Sequence, residues 1–348
     1  MNGEIRALTG LRGLAIVFVL LSHANKAGFL LFEQFDFSGG GRYGVFIFFI
    51  LSSFLLTRQF LVLGVGCSFR AYIPEYLMKR FLRIYPLFIT TLLVYYAFHV
   101  FGHTIWVFDG WDLLRNMLLL EGVGVFWVIP VEFQYYFFIP FISVLLLKYY
   151  DSFIGVSVFS IAFIVLYSLV VDASYQSNVG PFLAIFYMGS FLAYLQDKLD
   201  KLKLSERGYW YLTKCCNVLS FICLAVFVTL VPKYFGHIVG DDNIPVGYFH
   251  NSFILLGVLS SIFIFTVINS KGLIEGILAS RFFNFVGKVS FSAYLGHYLI
   301  LAAISKYSEV FLPEAAFVVF FLFTFLFSFI SFRLIEEPLY RLGHKKRV

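Results

Sequence analysis

The feature that most constrains this chain is a series of apolar stretches, each about twenty residues long. A transmembrane α-helix needs about 20 predominantly apolar residues to cross the hydrocarbon core of a bilayer. Ten such stretches can be read along the sequence: 7–25, 44–64, 84–102, 125–147, 152–172, 180–196, 215–235, 249–269, 284–305 and 314–335. The sequence therefore predicts an all-α polytopic membrane protein, a bundle of about ten transmembrane helices.

The composition supports this fold class. Hydrophobic residues make up 60% of the 348 residues and charged residues only 13%, whereas a soluble domain carries about 25% charged residues. A soluble protein of this length could not bury so much apolar surface, so the excess must face lipid. The net charge of +6 comes from short basic runs between apolar stretches. Such runs indicate membrane topology, and we expect no nucleic-acid partner.

The basic residues predict the orientation of the chain. If the N-terminus is inside, 20 of the 26 lysines and arginines fall in cytoplasmic segments, five fall in outer segments, and Arg12 lies within the first span. Short cytoplasmic loops of membrane proteins carry such an excess of basic residues. We therefore expect both ends of the chain in the cytoplasm, which agrees with an even number of spans.

The cysteine pattern argues against a disulfide framework and against a metal site. The four cysteines, Cys67, Cys215, Cys216 and Cys223, all lie outside the segments that we predict to be external. Disulfides form and persist in oxidising compartments, so free thiols are expected. No pair of them has metal-ligating partners nearby in sequence, and we expect no bound metal.

Arg12 and His23 are two ionisable residues within the first apolar stretch. Such residues are candidates for function, because placing one in a bilayer costs on the order of several kcal/mol. They are eleven positions apart, which is about three helical turns, so both side chains share a face roughly 16 Å apart. The alternative is that Arg12 snorkels inward and His23 lies at the interface. Of the two, His23 is the stronger candidate for a general base.

Glu132 lies near the start of the fourth stretch, at a depth that we predict to be similar to that of His23. A carboxylate at this depth could orient the imidazole of His23, as the acid residue does in a hydrolase triad. The alternative is a residue at a helix start in the headgroup region, with Pro130 marking that start. The residues alone leave both interpretations open.

Two further groups have chemistry that a membrane enzyme could use. Arg80 and Arg83 lie three residues apart on one helical face, beside Lys79. Paired guanidinium groups bind phosphate oxygens bidentately, although a plain cytoplasmic anchor has the same composition. In the ninth stretch, Tyr294 and His297 share a face near two serines, and such a pair is more often structural than catalytic.

Taken in order, these motifs resemble the membrane acyltransferase-3 family. The first helix of that family carries an arginine, ten residues and a histidine, which Arg12 and His23 match. Its second-helix motif is similar to residues 44–54, which include Ser52, with Ser53 where glycine is usual. Its Arg-x-x-Arg motif resembles the sequence over 80–83.

The second half of the chain continues the resemblance. The family's Trp-Ser-Leu-x-x-Glu motif resembles residues 127–136, which keep Trp127 and Glu132 but have Val128 in place of serine. Residues 294–297 and 335–338 are also similar to family patterns. Each motif alone is weak, but several in register across nearly the whole chain are specific.

The resemblance implies a reaction and a location. Members of the family acylate sugars of bacterial surface polysaccharides, usually with an acetyl group from cytoplasmic acetyl-coenzyme A. We therefore expect acetyl-coenzyme A, or another acyl-coenzyme A, as donor and a glycan such as O-antigen or exopolysaccharide, or a lipid-linked oligosaccharide, as acceptor. The expected location is the bacterial inner membrane. Some relatives append a soluble esterase-like domain; here we expect a single acyltransferase domain over residues 1–348 without one.

The resemblance also implies roles for the candidate residues. His23 would act as the base or as an acyl acceptor, with Glu132 orienting it and Arg12 contributing to catalysis. The anionic donor would be held by the residues Arg12, Lys79, Arg80 and Arg83. The supporting residues would be Ser52, Trp127, Tyr136, Tyr294 and His297.

A transporter or exporter is the alternative function, because buried arginine, histidine and glutamate also line transport pathways. Transporters often contain inverted repeats and paired broken helices. The sequence shows neither feature, which favours the enzyme.

We predict that Lys203 and Arg207 face the cytoplasm and that Asp241 lies outside, because the basic residues are so unevenly distributed. Single cysteines introduced at positions 205 and 241, in a variant without the native cysteines, can be labelled in intact cells with a membrane-impermeant thiol reagent. Only the cysteine at 241 should react. Labelling at 205 from outside would contradict the orientation or the number of spans.

Overall fold

The computed structural model describes residues 2–64, 66–102, 109–171, 177–306 and 311–344, and these form helices and loops without any strand. The helices are α1 (Asn2–Lys26), α2 (Gly41–Leu63), α3 (Cys67–Val100), α4 (Gly110–Met117), α5 (Val128–Lys148), α6 (Phe153–Val170), α7 (Leu183–Lys201), α8 (Glu206–Thr229), α9 (Pro232–Val239), α10 (Phe253–Asn269), α11 (Leu273–Leu278), α12 (Arg281–Lys288), α13 (Ser290–Ser305), α14 (Pro313–Ser331) and α15 (Glu337–His344). Short 3₁₀ turns over Gly124–Trp127 and Gly180–Phe182 lead into α5 and α7, and a π-helical turn over Phe332–Glu336 joins α14 to α15.

Seven helices in the described part are long and apolar enough to cross a membrane: α1, α2, α3, α5, α6, α8 and α14 with its continuation. The other predicted spans coincide with α7, α10 and α13, which are 19, 17 and 16 residues long. At 1.5 Å per residue, α10 and α13 extend about 24–26 Å, less than the hydrocarbon core of about 30 Å. The all-α class is confirmed. The total of ten spans and the cytoplasmic placement of both ends stay predictions.

Several helix boundaries differ from those that the apolar stretches predict. In the seventh stretch, predicted over 215–235, α8 begins nine residues earlier, at Glu206, and ends at Thr229. The third predicted span begins at residue 84, but α3 runs without interruption from Cys67 to Val100 and contains Pro74 and Pro86. A count of apolar residues stops at the basic run, whereas the backbone continues as a helix through it. The ninth predicted span, 284–305, is divided at Val289 into α12 and α13.

The centre of the bundle is α2, which packs against α1, α5, α7 and α10. Phe49 of α2 stacks on Phe186 of α7 with ring centroids 4.3 Å apart, and Phe186 stacks on Tyr135 of α5 at 4.2 Å. Small residues bring the backbones close, as is typical of transmembrane helix contacts. Gly44 marks such a point, because a Cβ atom there would lie 2.2 Å from the carbonyl oxygen of Ala15 on α1.

Ser53, which stands where the resemblance expects glycine, is accommodated by a glycine on the facing helix. Its hydroxyl is fully buried and donates to the carbonyl oxygens of Phe49 at 3.0 Å and Ile50 at 3.1 Å. On α7, a Cβ atom at Gly189 would lie 2.0 Å from the Ser53 hydroxyl oxygen. Gly189 therefore provides the space that the departure at Ser53 requires.

Polar contacts at the two ends of the bundle join segments that the topology places on the same side of the membrane. At one end, Arg58 of α2 lies 3.0 Å from Asp200 of α7. At the other end, Lys233 donates to the carbonyl oxygen of Glu33 at 3.0 Å. The relative arrangement of the loops is thus self-consistent. The basic residues Lys345, Lys346 and Arg347, which contribute to the charge bias, lie outside the described residues.

We predict that Gly44→Ala destabilises the protein, because the added methyl group would clash with the α1 backbone at Ala15. Overpacking of this kind costs about 1–3 kcal/mol. The matched control is Gly276→Ala, since a Cβ atom at Gly276 meets nothing within 4 Å. Thermal unfolding in detergent should show a lower midpoint for Gly44→Ala alone. Equal midpoints for both variants would contradict the close approach of α1 and α2.

Candidate active site

A cavity enclosed by α1, α2, α3, α5 and α13 brings together many of the residues singled out in the sequence. Arg12 comes from α1, Arg80 and Arg83 from α3, and Glu132 from α5. Three predicted supporting residues also line it: Ser52, Tyr136 and Tyr294. We name it the arginine cavity. Arg80 and Arg83 reach it because α3 continues as one helix through the basic run.

The three arginines of this cavity have few protein partners. Arg83, Glu132 and Arg80 are the charged groups with the largest electrostatic effect on Arg12. Within the described part of the chain, none of the three arginines forms an ion pair, and the Nε atom of Arg80 is buried without a hydrogen-bond partner. Unpaired charges away from water are costly. The arginine cavity is therefore suited to an anionic ligand that would pair with these groups.

Glu132 is held inside the arginine cavity by two hydroxyl groups. Its Oε1 atom accepts hydrogen bonds from the Ser52 hydroxyl at 2.7 Å and from the Tyr136 hydroxyl at 2.5 Å. The sequence placed Glu132 near a helix start, but the helical segment begins eight residues earlier, at Gly124. Glu132 therefore lies two turns into the span, close to Arg12. The predicted similarity in depth to His23 is wrong, because Glu132 lines the same cavity as Arg12, and Arg12 lies about 16 Å from His23 along α1.

His23 lies farther along α1, about 16 Å from Arg12 by helical rise, and its partner is a histidine. The Nδ1 atom of His23 is 2.9 Å from the Nε2 atom of His297 on α13. The two ring planes are nearly parallel, with an interplanar angle of 12° and centroids 5.0 Å apart. His297 is fully buried, and its Nδ1 atom lies 2.6 Å from the carbonyl oxygen of Tyr294. We name His23 and His297 the histidine pair.

The expected pairing of His23 with Glu132 is thus replaced by two separate arrangements. Glu132 has hydroxyl donors and arginine neighbours, and His23 has His297. The sequence interpretation of His297 as structural did not anticipate that it contacts His23 directly. The one indication in the sequence was that Tyr294 and His297 share a helical face.

Lys79 is not part of the arginine cavity. It precedes Arg80 by one residue, which is a rotation of about 100° around α3. Its Nζ atom lies 2.5 Å from a carboxylate oxygen of Glu75 and 5.6 Å from the ring centre of Tyr72. The structure therefore does not bring Lys79 together with Arg80 and Arg83.

Tyr294 lines the arginine cavity, and its ring centroid lies 5.7 Å from that of His297 in the histidine pair. Trp127 is buried, and the guanidinium carbon of Arg42 lies 5.9 Å from its ring centre. The hydroxyl of Tyr294 donates to the carbonyl oxygen of Val125 at 2.8 Å, which ties α13 to the 3₁₀ turn before α5. Val128, which replaces the usual serine, lines the arginine cavity with an apolar side chain.

Two features of the site were not found in the sequence. Glu336 is buried in the π-helical turn, where the Ser292 hydroxyl donates to its carboxylate and Arg83 lies within electrostatic range. A carboxylate at the end of the last apolar stretch was the available signal. Near the histidine pair, Arg42 donates to the carbonyl oxygen of His250 at 2.7 Å. No sequence spacing indicates that contact.

Comparison with known proteins places this geometry in context. A family model described as an acyltransferase domain matches residues 5–333. A Staphylococcus aureus (strain COL) protein, named by inference as an O-acetyltransferase, is 24% identical over 98% of this chain and 58% of its own length. The peptidoglycan O-acetyltransferase OatA of Listeria monocytogenes is 22% identical over 97% of this chain and 56% of its own length. The chain thus spans somewhat more than half of these relatives. No solved structure gives a significant match.

Proposed function

This chain belongs to the acyltransferase-3 family, and on that premise we propose that it is a membrane-embedded O-acyltransferase. It moves an acyl group, with acetyl as the expected one, from acyl-coenzyme A to a hydroxyl of a cell-surface glycan. The relatives named as O-acetyltransferases support the reaction class. In this proposal residues 1–348 act as a single acyltransferase domain.

The observation that carries the proposal is the convergence of Arg12, Arg80 and Arg83 without ion-pair partners in the described residues. Coenzyme A carries several phosphate groups, and guanidinium forks bind phosphate oxygens bidentately. We assign these arginines to the donor phosphates. Arg80 is the strongest candidate, because its buried Nε atom has a donor hydrogen without an acceptor.

In this proposal, Glu132 supports donor binding instead of orienting His23. Three positive groups in one cavity repel one another, and a carboxylate between them offsets part of that repulsion. The hydroxyls of Ser52 and Tyr136 keep the carboxylate in place. Glu132 thus acts on Arg12 electrostatically and leaves a net positive charge in the cavity for the donor.

His23 performs the chemistry. Its free ring nitrogen takes the proton from the acceptor hydroxyl, and the oxygen attacks the thioester carbonyl carbon. The carbon–sulfur bond breaks, and the proton passes to the departing thiolate. In a second route, the nitrogen attacks the carbonyl carbon first, the carbon–sulfur bond breaks, and coenzyme A leaves as a thiolate. The acceptor hydroxyl then attacks the acyl group on the ring, the nitrogen–carbon bond breaks, and the hydroxyl proton passes to the thiolate. Both routes require the thioester to reach about 16 Å from the level of Arg12 to that of His23.

The acceptor is proposed to be a glycan of the bacterial cell envelope. The Listeria relative is named for peptidoglycan, a glycan polymer. We propose O-antigen or exopolysaccharide as the acceptor of this chain, presented as polymer or as lipid-linked oligosaccharide. The histidine pair would lie toward the outer side of the inner membrane, and the donor would enter from the cytoplasm.

Arg80→Ala and Arg83→Ala are each expected to weaken binding of acetyl-coenzyme A about ten- to a hundredfold, because a charge-assisted contact contributes roughly 1.5–3 kcal/mol. Lysine at either position should restore binding only in part, since an ammonium lacks the bidentate fork. The control is Arg333→Ala, an exposed arginine paired with Glu337 at 2.7 Å. Titration calorimetry on purified protein measures the affinity. Unchanged affinity in a folded double variant would contradict the assignment, and Arg80 and Arg83 would then only help to orient α3 in the membrane.

His23→Ala should lower acyl transfer about 10²–10⁴-fold if the residue acts only as a base. The affinity for acetyl-coenzyme A should remain unchanged, because Arg12, the residue of α1 that lines the arginine cavity, lies about three helical turns from His23. The measurement is transfer from labelled acetyl-coenzyme A to purified acceptor glycan in liposomes. Complete loss would favour the acyl-histidine route over base catalysis. A wild-type rate in His23→Ala would contradict the mechanism, and solute movement across sealed vesicles without any transfer would favour a transporter.

A further inference from the structure

The hydrogen bonds of the histidine pair end at a group whose polarity is fixed. The Nδ1 atom of His297 lies 2.6 Å from the backbone carbonyl oxygen of Tyr294. A carbonyl oxygen can only accept, so Nδ1 of His297 must carry the hydrogen. In a neutral imidazole the other nitrogen then has the lone pair, and Nε2 of His297 is therefore an acceptor.

This polarity passes from His297 to His23. The Nε2 atom of His297 is 2.9 Å from Nδ1 of His23, so Nδ1 of His23 must be the donor of that hydrogen bond. A neutral His23 that is protonated at Nδ1 has its lone pair at Nε2. The carbonyl oxygen of Tyr294 thus determines which atom donates in both hydrogen bonds, the one to His297 and the one between His297 and His23.

We propose that His297 is the positioning residue of this site, which fixes His23 in the tautomer whose Nε2 atom is free to accept a proton or an acyl group. The inference rests on the proposed function, because the lone pair on Nε2 of His23 has a chemical role only if acyl transfer takes place at His23. His297 here takes the orienting role for which the sequence suggested Glu132, and it does so without adding a negative charge.

The rings are held so that the pair cannot easily rearrange. Their planes are nearly parallel, and the ring of Tyr298 packs edge-on against His23 with centroids 4.9 Å apart. Rotation of either imidazole about its Cβ–Cγ bond would separate the two hydrogen-bonded nitrogen atoms. The pair therefore keeps one geometry, which a side chain that selects a tautomer must do.

The backbone that carries His297 is held from α3. The Tyr95 hydroxyl donates to the carbonyl oxygen of Leu295 and accepts from the amide of Leu299, each at 3.0 Å. The Tyr95 hydroxyl thus takes the place of the helical hydrogen bond between the Leu299 amide and the Leu295 carbonyl oxygen. That hydrogen bond would span the turn that contains His297. Side-chain insertion of this kind bends helices and fixes their local geometry.

Other titratable groups near His23 do not compete for its Nδ1 atom. Lys26 of α1 and His250 of the loop before α10 act on His23 electrostatically, together with His297. Burial and the nearby Arg42 lower the pKa of His250 to about 4, so His250 is neutral near pH 7. Lys26 is then the one permanent charge among these three, and a positive charge disfavours the imidazolium form of His23.

The tautomer can be measured directly. The chain contains seven histidines, and magic-angle-spinning NMR of protein labelled with ¹⁵N-histidine in liposomes distinguishes protonated from unprotonated ring nitrogens. The spectrum of His23→Gln identifies the His23 signals by their absence. In the wild type near pH 7, His23 should be protonated at Nδ1 and unprotonated at Nε2. A wild-type His23 protonated at Nε2 would overturn the proposal, whatever the activity.

Kinetics of matched variants supply the second test. His297→Leu removes the acceptor and should lower kcat for acyl transfer about 10²–10⁴-fold, as expected for loss of the correct histidine tautomer. The dissociation constant of acetyl-coenzyme A should stay unchanged. His297→Gln returns an oxygen acceptor and should recover part of the rate. The control is His237→Leu, an exposed histidine 3.0 Å from Asp242, which should transfer at the wild-type rate.

The outcomes separate the inference from the proposed function. If His297→Leu is folded, binds donor and keeps both the wild-type rate and the wild-type His23 spectrum, His297 does not position His23. If His297→Leu fails to fold, the His297→Gln variant and the wild-type spectrum still decide the question. If the wild type shows the expected tautomer but no acyl transfer, the hydrogen-bond chain stands and the acyltransferase proposal falls.

Discussion

The free-energy cost of placing charge in a bilayer governs the arrangement of this protein. Arg12, Arg80 and Arg83 all lie on membrane-spanning helices, where an exposed guanidinium would be strongly unfavourable. The structure turns them toward one cavity shared with Glu132 and surrounds that cavity with α1, α2, α3, α5 and α13. Close contacts between small residues, such as the approach of α2 to α1, make that enclosure tight. The packing of the bundle and the chemistry of its interior thus depend on the same constraint.

Much of the fold could be predicted from apolar stretches, because the length needed to cross a bilayer is a physical quantity that sequence reports directly. The shared face of Arg12 and His23 also followed from sequence, since both lie on one helix and only its periodicity is needed. Ser52 and Tyr136 were named as supporting residues, and they are the two donors to Glu132. Span length and helical periodicity were sufficient wherever the residues concerned lie on the same helix.

Relations between helices could not be predicted in this way. The contact of His23 with His297 joins residues 274 positions apart, and no spacing along the chain reports it. The depth of Glu132 was misjudged because the sequence does not report that α5 places Glu132 beside Arg12 instead of beside His23. Arg80 was placed before the start of the third span because an apolar count stops at charged residues, although α3 does not. Each error concerns where a helix starts or which face another helix presents.

The uninterrupted course of α3 has a consequence for the spacing of the whole site. Arg83 and Tyr95 lie on this one helix, the first facing the arginine cavity and the second inserted beside His297. They are twelve positions apart, which fixes their distance along the axis at about 18 Å and their relative direction around it. One residue gained or lost between them would rotate one end against the other by about 100°. Segment 84–94 therefore should not tolerate insertions or deletions, although its lipid-facing side chains can be substituted.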